Sequence, residues 1–253
     1  DNTVLCLQTA RYLTNAWTEA RKGKLHSGVL AYFNTGSRAR CTVGSPGELL
    51  EPAIQLEAFA HWAARLASKA AKHIEDTAAD QNAKNEYMVE LVNLSKAHCY
   101  YTVLFLFAAA IQEVEQPDLK TVLKTLCDLF ALSTMEQNLG GFVVDSYLSE
   151  EQAEWVSQTV RSLLQAVRPN AVALVDAFNY HDELELHQTA LGATDGRVYE
   201  RLYEWSEKDP VNQRDVVEGV HFLKDFMRLK GTVAQSAPHH PPVWLGPAAR
   251  SRF

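Results

Sequence analysis

Pro117-Asp118-Leu119-Lys120-Thr121-Val122-Leu123-Lys124-Thr125-Leu126-Cys127-Asp128-Leu129-Phe130 is the stretch that decides the fold class. Leu119, Val122, Leu123, Leu126 and Phe130 recur every three or four residues, the period of one face of an α-helix. Proline suits the first helical position, where its missing N–H costs nothing. The next periodic stretch carries its own punctuation. Ser149-Glu150-Glu151-Gln152 has the form of a capping box, and Ala153, Val156, Val160, Leu163, Leu164 and Val167 make the stripe that follows. Pro169 is expected to stop it.

The same period extends in both directions. Glu48 to about Thr77 is rich in alanine and leucine, lacks an internal glycine, and reads as one long helix with Pro52 tolerable only in its first turn. Asn85 to about Val114 reads as another, apolar almost all round between Val103 and Ile111, which is the pattern of a centrally buried helix. Asp1 to about Ala20, Gly196 to Lys208 and Asp215 to Leu229 complete the set, and no alternating run bounded by hairpin turns is present. The expected fold is an all-α helical bundle.

Between Asn34 and Gly47, glycine, serine and arginine replace the apolar stripe, so 34–47 reads as a linker between a helical piece at 1–33 and a larger helical domain at 48–230. Past Gly231, Ala237-Pro238-His239-His240-Pro241-Pro242 cannot continue a helix, and 231–253 is expected to be a loose tail.

Composition narrows the function classes. The 253 residues are 47% hydrophobic and 22% charged, as in ordinary globular proteins. A net charge of −7 argues against a nucleic-acid partner, which needs a basic face; the short clusters Arg21-Lys22 with Lys24, and Arg38 with Arg40, read as solvated surface. Cys6, Cys41, Cys99 and Cys127 form neither a CxxC pair nor a zinc pattern. Three of them, Cys6, Cys99 and Cys127, have apolar neighbours and read as small hydrophobes in a reducing intracellular setting. The apolar run Tyr100–Ile111 falls short of the roughly 20 residues a membrane span needs, and no signal peptide is visible. The chain opens on Asp1-Asn2-Thr3 without an initiator methionine and reads as a piece of a longer protein or a processed form.

Individual residues offer little chemistry. His181, Asp182 and His187 cluster, but a spacing of six does not put two ligands on one helical face, so no metal is assigned there; His239-His240 read as solvated. His98 and Cys99, about 100° apart on a helix, do not make a base–nucleophile pair, and His98 is expected to be buried and bonded to a carbonyl. Gly140-Gly141 lacks a phosphate-loop context and reads as a turn or cap. Trp17, Trp62, Trp155 and Trp205 are expected in cores, with Trp244 left in the tail.

Three longer stretches carry a resemblance. Asp1 to Leu5 with Leu7-Gln8-Thr9-Ala10-Arg11-Tyr12-Leu13 is similar to E-G-[DE]-N-T-V followed by LQTARFL in peroxisomal acyl-CoA oxidases. Arg168-Pro169-Asn170-Ala171-Val172-Ala173-Leu174-Val175-Asp176-Ala177-Phe178 resembles that family too, as does Asp195-Gly196-Arg197-Val198-Tyr199-Glu200-Arg201-Leu202-Tyr203-Glu204-Trp205 beside the family's DGNVYENLFEWA. Ala97-His98-Cys99-Tyr100-Tyr101 is a weaker fourth match.

The resemblance implies a flavoprotein dimer built from an N-terminal helical domain, a middle β-domain and two C-terminal helical domains. This chain would hold the last helix of the first C-terminal domain and then the second. It implies FAD as cofactor, fatty acyl-CoA and dioxygen as substrates, a homodimer, and trans-2-enoyl-CoA with hydrogen peroxide as products. The family's catalytic base is the first residue of E-G-[DE]-N-T, which would lie two residues ahead of Asp1. Asp1, Asn2 and Thr3 match positions near the flavin and are the candidate FAD contacts, since a helix N-terminus favours a pyrophosphate; simple capping of the first helix is the alternative. A non-catalytic helical dimerisation or regulatory domain is the other reading of the whole chain. Two departures stand out. Gly192-Ala193-Thr194-Asp195-Gly196 replaces G-R-Y-D-G, and Ser251-Arg252-Phe253 only resembles the Ser-Lys-Leu peroxisomal address.

Overall fold

The computed structural model describes residues 2–35, 40–77, 87–178, 190–192 and 195–213. Its elements are helical, and no strand occurs among the described residues. They run α1 (Asn2–Arg21), α2 (Tyr32–Thr35), α3 (Pro52–Asp76), α4 (Met88–Gln112), α5 (Pro117–Gln137), α6 (Gly140–Val143), α7 (Glu150–Val167), α8 (Ala171–Asp176) and α9 (Val198–Lys208). The chain divides into two compact units, residues 1–177 and 178–253.

In the first unit α3 packs along α4, α1 lies against both, and α5 packs on α4 and α7. The α3 helix begins at Pro52 rather than at Glu48, because a residue before proline is pushed out of the helical region and Glu51 is extended at φ −74°, ψ 123°. Pro46–Leu50 winds instead as a 3-10 turn. A buried polar network fastens that turn to α5. Lys124 Nζ donates to both Asp128 oxygens at 2.5 and 2.6 Å and to Leu50 O at 2.7 Å. Gln55 Nε2 donates to Leu49 O at 2.9 Å and to Asp128 Oδ1 at 2.8 Å. Asp128 is thus buried with its charge matched, as an interior carboxylate must be.

Two apolar stripes differ from expectation. On α5 the buried side is Cys127, Asp128, Ala131, Leu132, Thr134 and Met135, one step round the helix from the sequence stripe; Val122, Leu123, Leu126 and Phe130 are half-buried and Leu119 is exposed. Satisfaction of Asp128 by Lys124 and Gln55 lets a polar position turn inward. On α4, Leu94, Ala97, Tyr101, Leu104 and Ile111 are buried, but Val103 and Leu106 are 48% and 56% exposed. Among the described residues the helix packs on α1, α3 and α5 and leaves the Val103 and Leu106 side open. By length and composition α4 is also the one described helix that could cross a membrane, but here it is a packed helix of the bundle.

The capping box of α7 forms as written: Ser149 Oγ accepts from the Gln152 N–H at 3.1 Å, and Gln152 Oε1 accepts from the Ser149 N–H at 3.0 Å. Gln152 Nε2 also donates to Val43 O at 2.9 Å and the Cys41 N–H donates to Tyr147 O at 2.7 Å, which fixes the described end of the 34–47 stretch. Pro169 does not stop the helical path. After Val167 the chain continues through a 3-10 turn, Arg168–Asn170, into α8, because a proline in a first helical turn forfeits no hydrogen bond.

In the second unit a 3-10 turn at Ala190–Gly192 packs with α9. Gly196, at φ +68°, supplies the left-handed residue that starts α9. Asp195 accepts from the Arg197 N–H at 3.1 Å and from Arg201 Nη2 at 2.7 Å, and these bonds hold its carboxyl below the usual range. Trp62 is buried and Trp17 and Trp155 half-buried, but Trp205 is exposed, against the expected core position: α9 is a polar helix with no buried residue. The 215–229 helix, the 231–253 tail and Trp244 lie outside the described residues.

Candidate functional site

Of the three candidate cofactor contacts, Asp1 lies outside the described residues, Asn2 opens α1, and Thr3 is exposed on its first turn. Val4 and Leu5 beside them are also exposed. The next turn is anchored, since Ser95 Oγ of α4 donates to the Cys6 carbonyl. The N-terminal end of a 20-residue helix carries the positive pole of its dipole, which fits a phosphate.

A second polar group sits where α3 meets the loop after α6. His61, 4% exposed, donates from Nε2 to Asp145 Oδ2 at 2.9 Å, and its ring stacks on Tyr147 with centroids 4.1 Å apart. Arg65 Nη2 donates to Gly141 O at 2.7 Å; its Nε lies 3.3 Å from the same Asp145 oxygen, an ion pair by distance without hydrogen-bond alignment. Gly141 is required there. A Cβ on it would stand 2.6 Å from Trp62 Nε1. The Gly140-Gly141 pair thus starts a short helix, and its second member is a close-approach position. Beside it, Arg65, Asn93, Lys96, Gln137 and Asn138 help to line a cavity of about 380 Å3. Another, of about 480 Å3, lies between Cys41 and the Tyr147–Gln152 segment.

His98 is half-buried rather than buried and shares hydrogen bonds with the Tyr32 hydroxyl through Nδ1 at 3.0 Å and the Thr102 hydroxyl through Nε2 at 3.5 Å, so its partners are hydroxyls rather than the expected carbonyl. Burial pulls the His98 pKa below and pushes the Tyr32 pKa above the ordinary value. Cys99 next to it is exposed, Cys6 and Cys41 are half-buried, and Cys127 alone fits the reading as a buried hydrophobe. Burial raises the Cys99 and Cys127 thiols, Cys127 to about 11, which opposes a nucleophilic role. Among the described residues no three His, Cys, Asp or Glu side chains group as metal ligands; His181, Asp182, His187, His239 and His240 lie outside them. Sequence reading missed the Arg65 and Lys96 grouping, which unites residues of two separate helices and leaves no local pattern.

Residues 51–228 match the family model described as acyl-CoA oxidase. The chain belongs to the acyl-CoA oxidase family. Peroxisomal acyl-coenzyme A oxidase 1 of Bos taurus is 36% identical over 236 residues, which cover 89% of this chain and 36% of that protein. Among solved structures, Arabidopsis thaliana acyl-CoA oxidase 1 superposes with a TM-score of 0.78 at 34% identity, over 90% of this chain and 34% of the other. Acyl-CoA oxidase-1 of Caenorhabditis elegans, complexed with FAD and ATP, gives 0.76 at 29% identity, over 89% and 35%. This chain therefore spans little more than a third of the acyl-CoA oxidases it matches. The acyl-CoA oxidase match takes in α3 to α9, with the Arg168–Phe178 and Asp195–Trp205 stretches, while α1 precedes it.

Proposed function

We propose that this chain is the C-terminal helical part of an FAD-dependent acyl-CoA oxidase acting in fatty-acid β-oxidation, in which it supports the flavin and the subunit interface. Its membership of the family across 51–228 carries the reading. FAD, when bound, supplies the hydride acceptor and the centre that dioxygen reoxidises, so that a fatty acyl-CoA becomes a trans-2-enoyl-CoA and hydrogen peroxide is released. By the resemblance of Asp1 to Leu5, the family's proton-abstracting glutamate would align ahead of Asp1, and the carboxylates present here are given no part in that step. Asp1, Asn2 and Thr3 are the FAD contacts, the last two in the first turn of α1, where backbone donors and the helix dipole would hold phosphate. In the longer protein we place the boundary between the two C-terminal helical domains at 34–47, where the composition shifts, with α1 packed back on α3 and α4 within one compact unit. A peroxisomal setting follows from the relatives' names, with Ser251-Arg252-Phe253 as a variant of the address.

The outward face of α4, with Val103 and Leu106, favours a second reading in which the chain serves as a non-catalytic dimerisation or regulatory domain. One spectrum separates the two. The purified chain is incubated with FAD, desalted, and its visible absorption recorded beside its circular dichroism. Retained flavin is the expected result; a helical but colourless protein overturns the cofactor contacts and leaves the second reading.

A further inference from the structure

The cavity between α3, α4 and the turn that joins α5 to α6 has no part in that proposal. It holds about 380 Å3, within the range of small-ligand sites. Its lining includes two cations, Arg65 and Lys96, and three amides, Asn93, Gln137 and Asn138, but no carboxylate. On α4, Asn93 and Lys96 are three residues apart and so project from adjacent turns toward one opening. Arg65 is held from behind by Gly141 O at 2.7 Å and by Asp145 at 3.3 Å. A guanidinium already fixed in this way loses little side-chain freedom when a ligand arrives.

The other groups are unspent. Among the described residues Lys96, Asn93 and Gln137 make no hydrogen bond or ion pair, so their donors are available to a guest. Asn138, by contrast, spends one Nδ2 donor on Thr134 O at 2.8 Å, a carbonyl near the end of α5 that also accepts the Asn138 backbone N–H. The wall is still left with donors in excess of acceptors.

We propose that this cavity binds a small oxyanion of the phosphate or pyrophosphate class, free or as the phosphate of a larger metabolite. Arg65 shares its charge with Asp145 and spends one Nη2 donor on Gly141 O, which leaves Nη1 and the second Nη2 N–H for two anion oxygens; Lys96 supplies the unshared charge, and the Asn93 and Gln137 amides complete the donor set. Two cations in an otherwise acidic chain make a local site and not a track for nucleic acid.

Isothermal titration of the whole chain with inorganic pyrophosphate, inorganic phosphate and glycerol 3-phosphate tests this. Saturable one-site binding that weakens with added sodium chloride is expected. Lys96→Gln, at an exposed position, should weaken it about tenfold, the effect of one charge-assisted hydrogen bond. Asn93→Glu should abolish binding by bringing a like charge to the ligand, and Lys120→Gln on α5 should change nothing. Circular dichroism checks that each variant stays helical. Tighter binding of the ester than of inorganic phosphate assigns the site to a larger metabolite, and equal binding assigns it to the free anion. No heat with any of the three, or equal weakening by Lys96→Gln and Lys120→Gln, overturns the site. The flavin experiment reads the N-terminal end of α1, none of whose residues line this cavity, and does not share these outcomes.

Discussion

The two sides of α4 have nearly the same composition and opposite fates. Leu94, Ala97, Tyr101, Leu104 and Ile111 are buried against neighbouring helices, whereas Val103 and Leu106, one residue removed from a buried one or two, face outward. Nothing in the side chains themselves distinguishes Leu104 from Leu106. What separates them is which neighbours the chain brings, and α1, α3 and α5 reach only one side. Exposed apolar side chains grouped on one face of a helix are the pattern of an interaction surface.

The sharpest way to break the comparison is to truncate one residue on each side. Leu104→Ala should lower unfolding stability by about 2–5 kcal/mol, the cost of a core leucine replaced by a cavity. Leu106→Ala, at 56% exposure, should stay within about 0.5 kcal/mol. Urea unfolding followed by circular dichroism measures both. Equal costs would mean that the outward side is covered in solution, for instance by a second copy, and a dependence of the Leu106→Ala cost on protein concentration would identify that case.

A smaller contrast sits in adjacent glycines. Gly141→Ala must displace the Trp62 indole, 2.6 Å from the new Cβ, and should cost about 1–3 kcal/mol as overpacking does. Gly140→Ala meets no atom within 4 Å and, being helical, should be neutral or gain up to about 1 kcal/mol. The same urea series reads both, and a Gly141→Ala midpoint equal to that of Gly140→Ala would show that the α6 turn gives way freely.

These cases mark what was legible in advance. Period and punctuation predict helices, so Pro117 at the head of α5 and the Ser149–Gln152 box of α7 stand where the sequence places them. Pattern does not predict partners. The α5 stripe is rotated by one step because Asp128 finds Lys124 and Gln55, and Gln55 is 73 residues away in sequence. The 3-10 turn before Pro52 and the helical path through Pro169 follow from local proline rules that a long helical reading smooths over. For the site, family motifs point to Asp1, Asn2 and Thr3, whereas Arg65 and Lys96 come together only through the packing of α3 on α4.

The smallest expected effect concerns His98, which faces inward to Tyr32 while Cys99 beside it is exposed. Burial lowers the folded-state pKa of His98. Below the ordinary histidine value of about 6.5 the unfolded chain takes up a proton that the folded chain refuses, so stability falls as the pH drops and is unaffected by this group above that value. His98→Gln loses the bond to Tyr32 at every pH but has no proton to take up. The variant should therefore be less stable than the native chain at pH 8, by about 0.5–1.5 kcal/mol for one hydrogen bond, and the gap should narrow toward pH 5. Urea midpoints at the two pH values decide it. A gap of constant size would mean that His98 titrates alike in both states, and that the inward side of α4 is wetter at this turn than at Leu104.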